Sequence, residues 1–460
     1  MTSVQSLLQQ LNGNKLKLVP LLILSIYLLS ACGGSKDTIS DSRVMTPKKR
    51  SEPKPFPTKR GNGKVDTIHW TEIDRTKEYN DKIEDLELDK RSSYRVALLY
   101  PFGLSRSSDS DINKPNSKVN RAVHYYAGTQ MALEQLNDEG INLQIDVYDS
   151  ESDNFDVKLQ QCRNADVIIG PRERGQLATT AQYGKNNEIP VISPWLSSTK
   201  VAVENPYYIQ LKPSLKAHMV KIVEDVKNNF ADEQVFLLGR KTKKDLGMMK
   251  FIQEAAAAMN RTGTSKPFQE YYLEEDSLVV GETAYDSIFY EDKTSVFILP
   301  NWSFKDDEKF IYNAVRKMSG EKGLNDVVLY GMPILFESEK IKFEHYANLN
   351  MRISRTSFLD RTAPEVKEFR QAYFNKYQDF PSEEVFKGYD MMMYVGRNLH
   401  NYGKKFQYFL DTYESSLYQT KYDVQKVYTS KSGDRLKDIN YLQNDHIYIL
   451  EFKDNHFIAN

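Results

Sequence analysis

The sequence is poor in cysteine, with only Cys32 and Cys162 in 460 residues. Two thiols cannot build a disulfide framework, so any folded body has to be held by apolar burial. An excess of one charge is also missing: 62 basic against 63 acidic residues leave a formal net charge of −1. That balance gives no support to a nucleic-acid binder. The seven histidines show no metal-ligand spacing. The HExxH, CxxC, GxSxG and P-loop patterns are all absent, so no enzyme class has a motif behind it, and neither a metal nor a cofactor is expected. The apolar run Leu18–Leu29 is shorter than the roughly 20 residues that a membrane-spanning helix needs.

What is present divides the chain. Lys15 and Lys17 precede that apolar run, which ends Leu29-Ser30-Ala31-Cys32-Gly33. A basic start, a short apolar core and small residues before a cysteine read as a cleavable leader. The stretch resembles the lipobox of bacterial lipoproteins, and the resemblance implies a signal peptide over 1–31 and lipid on Cys32 as the membrane attachment. From Gly33 to about Lys64 the chain is serine-rich and basic, with four prolines between Pro47 and Pro57. It cannot form a core, and a flexible tether is expected over 32–93, although Val65–Ile73 alternates weakly and is left unassigned. Cys162, just ahead of a buried strand, reads as a small core residue.

The body is organised around Ala165–Thr199. Val167-Ile168-Ile169 is a buried strand halted by Gly170-Pro171. Gly175–Asn186 has Leu177, Ala178 and Ala181 on one helical face, and Pro190-Val191-Ile192-Ser193 is a second strand. A helical crossover makes the two strands parallel and puts Pro171–Arg174 and Pro194–Ser198 on one rim, where open parallel sheets bind ligands. Around this unit lie a strand at Arg95–Tyr100, a helix at Ala122–Asn137 and a strand at Asn142–Tyr148. A further strand near Asn205–Ser214 leads into a helix that Ser214 caps, running to about Asn229. The alternation then restarts, with strands at Val235–Leu238, Ser295–Leu299 and Val327–Tyr330 and helices at Gly247–Met259 and Lys305–Met318. Lys266–Tyr290 has no clear pattern. Pro364–Tyr377 and Ser382–Tyr402 read as helices, and Ile447–Phe452 with His456–Ile458 as a hairpin. Two successive series predict an α/β chain with two sheets, hence two lobes.

The order of these signals resembles the type I periplasmic binding proteins, in particular the branch that binds leucine and related amino acids for ABC importers. The resemblance is carried by Val96–Phe102, Tyr126-Ala127-Gly128, Tyr148-Asp149-Ser150, Ile168-Ile169-Gly170-Pro171, Pro190–Pro194, Asn205-Pro206-Tyr207, Phe380-Pro381-Ser382 and Gly388-Tyr389-Asp390. It implies two Rossmann-like lobes joined by three crossings, placed near Pro213, near Phe358 and within 407–422. Lobe 1 is expected over 94–213, lobe 2 over 214–358, a return to lobe 1 over 359–406, and a C-terminal segment associated with lobe 2 over 407–460. The same branch holds its ligand's carboxylate with hydroxyls. Here Arg172-Glu173-Arg174 replaces them after the first turn, Trp195 is bulky beside Ser197, and Arg240-Lys241-Thr242-Lys243 stands where an aromatic often does.

The rim loops collect Phe102, Arg172, Arg174, Trp195, Ser197, Arg240, Asn301 and Trp302 as candidate ligand-binding residues, with Met332 beside them. An indole from each lobe and several guanidinium forks suit an anionic or sugar-like small molecule. The alternative is that the tryptophans pack the hinge and the arginines pair with Glu173 or Asp149. Asp149, Glu151 and Asp153 read as a solvated loop rather than a metal site. The reading that follows is a non-catalytic, lipid-anchored protein of the bacterial cell envelope, on the periplasmic side or at the cell surface. It binds a solute in the interlobe cleft, as an ABC-importer substrate-binding protein with an ABC permease for partner, or as a sensor. The alternative is an interaction protein that regulates cell-wall (peptidoglycan) synthesis by contacting a cell-wall synthase through the same fold, which the long basic tether favours.

Overall fold

The computed structural model describes residues 88–103, 117–198, 201–259, 267–279, 283–412, 415–429 and 438–459. The expected leader, Cys32 and all of the tether before residue 88 lie outside the described residues. Among the described residues no helix is long and apolar enough to cross a membrane.

The first sheet is seven strands in the order β13-β14-β5-β4-β3-β1-β2. Its strands are β1 (Tyr94–Tyr100), β2 (Leu143–Asp149), β3 (Val167–Ile169), β4 (Val191–Ser193), β5 (Tyr208–Gln210), β13 (Val424–Tyr428) and β14 (Ile439–Asn444). β1 explains the two-faced core. Val96, Leu98 and Tyr100 pack into one apolar cluster, and Ala97 and Leu99 into another on the opposite face. That is the period-2 alternation of a strand buried on both sides. The helices α1 (Lys118–Asp138), α2 (Phe155–Gln161) and α3 (Arg174–Asn187) connect the first four strands. The second sheet runs β16-β15-β10-β9-β8-β6-β7. It is built from β6 (Val235–Gly239), β7 (Gln269–Tyr272), β8 (Ser295–Leu299), β9 (Val327–Gly331), β10 (Arg352–Arg355), β15 (Tyr448–Lys453) and β16 (His456–Ala459), while β11 (Ser415–Ser416) and β12 (Lys421–Tyr422) pair with each other alone. Its helices are α4 (Leu215–Asn229), α5 (Lys243–Ala258), α6 (Glu308–Glu321), α7 (Ile334–Glu337) and α8 (Phe343–Asn348). The parallel part of each sheet has one topology: the second strand of the series outermost, then the first, third, fourth and fifth.

The late helices α9 (Pro364–Tyr377) and α10 (Glu383–Tyr402) return to the first lobe, where Val385, Tyr389 and Met392 join its core. α10 lies so close on α1 that a Cβ at Gly128 would stand 1.8 Å from the Val385 carbonyl oxygen, and one at Gly388 would stand 1.9 Å from that of Tyr125. No side chain fits either place.

Two expectations are corrected. The C-terminal segment does not go to lobe 2 as a unit from residue 407, because β13 and β14 extend the first sheet beyond β5 and only β15 and β16 join the second. The third crossing is therefore 445–447, not within 407–422. Gln425 and Lys426 interrupt the apolar alternation of β13, so its strand character is not visible in the sequence. The tether also ends earlier than 93: Lys404 N donates to Asp89 O (3.3 Å) and Arg91 pairs with Asp166 (3.2 Å), which fixes 88–93 to the first lobe.

The three connections, 211–214, 356–363 and 445–447, are tied to one another. Asn444 is fully buried. Its amide nitrogen donates to Leu211 O and to Lys421 O, both at 3.2 Å, and its oxygen accepts from Asp423 N (2.9 Å) and His446 N (3.2 Å). The Asp390 carboxylate of α10, also fully buried, accepts the N–H groups of Tyr418, Gln419 and Thr420 at 2.8–3.1 Å. The Gln419 carbonyl in turn accepts from Phe358 N at 2.9 Å. Asn444→Ala strips partners from four buried backbone groups at once and should cost about 2–3 kcal/mol in urea unfolding; a loss below about 0.5 kcal/mol counts against this hinge.

Two histidines sit at the crossings. His218 Nδ1 meets Ser354 Oγ at 3.0 Å, joining the start of α4 to β10. Burial, then the charges of Lys212 and Arg355, lowers its pKa to about 3. Burial, then Lys421 and Lys221, brings His446 to about 3 as well. A histidine that is neutral in the native state, with an ordinary pKa near 6.5, contributes stability present above that value and lost as pH falls from 6.5 toward 3. The unfolding midpoint should therefore drop between pH 7 and pH 5. His218→Asn, which keeps an amide near Nδ1, should flatten that drop when urea titrations are run at each pH.

Candidate functional site

The carboxyl ends of both parallel sheets face one cleft of about 1020 Å3. From lobe 1 it is lined by Pro101 after β1, Arg172 after β3, Pro194, Trp195 and Ser197 after β4, and Lys212 after β5, with Arg121 and Tyr125 of α1. Lobe 2 contributes Trp302 and Phe304 after β8, Pro333 and Phe336 after β9, and Arg355 and Thr356 after β10. Glu383, Glu384 and Lys387 of α10 complete it, with Thr420 and Tyr422 behind.

Local sequence sets each wall. Gly170 has φ +93°, and a Cβ there would stand 2.3 Å from Leu99 O and 3.2 Å from the Trp195 ring. Only glycine lets β3 turn beside β1 and lets the indole lie across the turn. Trp195 is half-buried, with ring centroids 5.4 Å from Tyr100 and 5.2 Å from Tyr125. Trp302 and Phe304 are 44% and 49% exposed, so lobe 2 presents bare aromatic surface at the lip.

Four of the eight candidates, Arg172, Trp195, Ser197 and Trp302, line the cleft. The other four do not. Phe102 is buried in lobe 1 against Tyr126 (5.7 Å). Arg174 opens α3 on the surface. Asn301 is buried and donates to Asp245 (3.1 Å). Arg240 is enclosed in an ionic cluster, bonded to Asp245 (2.9 Å), Asp307 (2.5 Å) and Glu275 (3.0 Å), with its guanidinium over Phe310 at 4.4 Å. Burial opposes the charge on Asp245 and Asp307, but Arg240 and Lys244 hold both carboxyls below the usual range. The cluster also positions Trp302, whose backbone N–H donates to Asp307 (3.3 Å) and whose ring lies 5.1 Å beneath Lys244 Nζ. Met332 is likewise fully buried.

Among the described residues no ion pair joins Arg172, Arg174 or Arg240 to Glu173 or Asp149. Glu173 caps α3 by accepting from Gln176 N (2.7 Å), and Asp149 accepts from Gly103 N and Glu151 N, each at 3.0 Å. Asp149 is thus a turn-forming residue. Among the described residues no cluster of acidic, histidine or cysteine side chains is placed to hold a metal ion. Cys162 is buried, its Sγ donating to Lys158 O at 3.3 Å, and burial with the nearby Asp146 pushes its thiol up to about 12.

Sequence reasoning missed Lys212, Arg355 and the α10 charges. The rule that ligands meet the ends of parallel strands finds Lys212 once β5 is known to stop at Gln210. Arg355 ends β10, whose sequence Arg-Ile-Ser-Arg has no apolar run to mark it as a central strand.

Comparison places this geometry. Residues 125–264 match the family model described as receptor family ligand binding region. Among solved structures, a putative branched-chain amino acid ABC transporter protein of Rhodospirillum rubrum superposes with TM-score 0.53 at 13% identity, covering 81% of this chain and 100% of that one. LpoA of Haemophilus influenzae superposes with TM-score 0.52 at 11% identity, covering 83% of this chain and 61% of that one. No curated protein matches the sequence. At these identities the likeness concerns the fold.

Arg240→Ala should leave buried Asp245 without its counter-charge and Asp307 with Lys244 alone, and cost about 3–5 kcal/mol of stability in chemical denaturation. Because Arg240 does not line the cleft, a variant of undiminished stability would mean the ionic cluster is not structural.

Proposed function

We propose, for a chain with the two-lobed fold of the type I periplasmic binding proteins, that it is a non-catalytic envelope protein taking up a small solute between its lobes. It serves as an ABC-importer substrate-binding protein or as a sensor, held to a membrane by lipid on Cys32. The observation that carries this reading is the cleft itself. It lies open between the strand ends of both lobes, at the upper end of the size of small-molecule sites, with aromatic and charged side chains converging on it. A site plugged by its own side chains would argue for a scaffold instead. Thr356 and the adjoining connections join the walls, so a bound solute bridging Trp195 and Trp302 would draw the lobes together.

A second reading, an interaction protein that regulates cell-wall synthesis, draws support from the bare Trp302 and Phe304 at the lip, since exposed aromatic pairs suit protein contacts. The two differ in what raises the melting temperature. A solute bound only by the native state stabilises in proportion to ln(1 + [L]/Kd), about 2.7 kcal/mol at a hundredfold excess over Kd. Thermal unfolding of the full-length protein against amino acids, organic acids, sugar phosphates and muropeptides should therefore give a concentration-dependent rise with at least one small molecule, abolished by Trp195→Ala. No rise across the panel, with a synthase captured on pull-down, would favour the second reading.

A further inference from the structure

The charged residues around the cleft are not evenly matched. Arg121, Arg172, Lys212, Arg355 and Lys387 face Glu337, Glu383 and Glu384. All three carboxylates are already engaged. Arg355 reaches Glu337 and Glu383, each at 3.6 Å, and Lys387 reaches Glu384 at 3.2 Å and Glu383 at 3.8 Å. Arg355 is held further by its stacking on Phe336 at 4.2 Å. His218, the other titratable group on this wall, is neutral. Arg172 and Lys212 make no ion pair with any described residue, and they stand on the ends of β3 and β5 in the same lobe, bracketing the Trp195 loop that follows β4.

Withdrawal from bulk water, then the positive charge of Lys387, lowers the proton affinity of the Lys212 ammonium; Glu337 opposes this and Arg172 adds to it. Two like charges held unpaired beside apolar rings are unfavourable in the empty protein and favourable once an anion lies between them.

We infer that Arg172 and Lys212 form the acid-group subsite of the cleft, and that the solute is an oxyanion-bearing small molecule, a carboxylate or phosphate, whose apolar or planar body lies on Trp195 and is covered by Trp302. This deepens the solute-binding reading and rests on it. The guanidinium fork supplies two parallel donors, the ammonium a movable third, and the indole excludes water from the pair. A neutral sugar finds no counter-charge there. A simple amino acid finds the cation pair but only carboxylates that are already shared.

The test has two arms. In the first, the tryptophan fluorescence of the full-length protein is quenched with iodide and with caesium. A positive subsite beside Trp195 concentrates iodide, so the ratio of iodide to caesium quenching should exceed that of free N-acetyltryptophanamide, and Arg172→Gln with Lys212→Gln together should lower that ratio while Lys250→Gln, outside the cleft, leaves it. A wild-type ratio no higher than that of the free amide, or one unchanged in the double variant, overturns the inference whatever the solute is. In the second arm, phenyl phosphate and benzoate are titrated beside their neutral counterparts phenol and benzamide, with inorganic phosphate and citrate in parallel. The acids should bind at least tenfold more tightly than the neutral molecules, with each single glutamine variant losing about tenfold at unchanged melting temperature. Equal binding of acid and neutral members, or variants that bind as the wild type does, overturns the subsite but leaves the solute-binding reading standing. Iodide selectivity without any solute in the wider thermal panel would sink that reading instead.

Discussion

A single buried amide joins the connections on which the cleft hangs. Asn444 satisfies groups from the first and third crossings and from the segment between them, while Asp390 and Gln419 bring in the second. A buried polar network of this kind is costly when incomplete and rigid when complete. Here the Asn444 amide and the Asp390 carboxylate are fully partnered, so the three connections are joined as one hinge and not as three independent linkers. The lobes keep their facing rims because any shear between them would break several buried hydrogen bonds together, whereas a rotation about the bundle breaks few. His218 and His446, both held neutral by burial, make the crossings sensitive to acid, while burial raises Asp390 to about 7 and opposes that trend.

The two lobes share a topology but not a role in recognition. Both strand series place their loops on the cleft side by the same right-handed crossovers. In lobe 2 the loops after β6 and β8 are occupied by the cluster of Arg240, Asp245, Asp307 and Lys244, which consumes their charge and leaves only Trp302 and Phe304 free to face the opening. In lobe 1 the loop after β3, which corresponds to that after β8, carries Arg172 without an ion pair to any described residue, and the loop after β4 carries Trp195. The cations without an ion-pair partner among the described residues thus include Arg172 and Lys212 on the lobe 1 wall, while on the lobe 2 wall Arg355 is paired with Glu337 and Glu383.

Much of the architecture is legible in the sequence. Val167–Ile169, Ser295–Leu299 and Val327–Gly331 are buried on both faces, and a short continuous apolar run is the direct signature of such a strand. Ser214 caps α4 as its position implies, accepting from Ala217 N at 3.2 Å. β10 and β13 were not legible, because Arg352, Arg355 and Lys426 bury charges that pair only across the fold: Arg352 with Asp225 at 3.1 Å, Lys426 with Asp411 at 2.6 Å. The cleft was half legible for the same reason. A rim position can be read from strand ends, but whether an arginine there is free, as Arg172 is, or consumed, as Arg240 is, depends on a partner 67 residues away in Asp307.

That distinction also bears on the resemblance to amino-acid-binding relatives. In that branch hydroxyl groups, which are neutral, meet the ligand's carboxylate, and a neutral donor set adds no field of its own. Exchanging them for a guanidinium and an ammonium changes the electrostatics of the empty site as well as of the filled one. A hydroxyl set is satisfied by water, whereas two cations without an ion-pair partner on one wall gain a counter-charge when an anion arrives. The bulk of Trp195 is consistent with this exchange. An indole laid across the Gly170 turn occupies space that a compact zwitterion would use, yet it offers a flat apolar face to a longer acid reaching toward Lys212. Arg172, Lys212 and a large ring at these positions fit the proposed acid subsite, and they require nothing of the scaffold beyond the glycine already present at the turn.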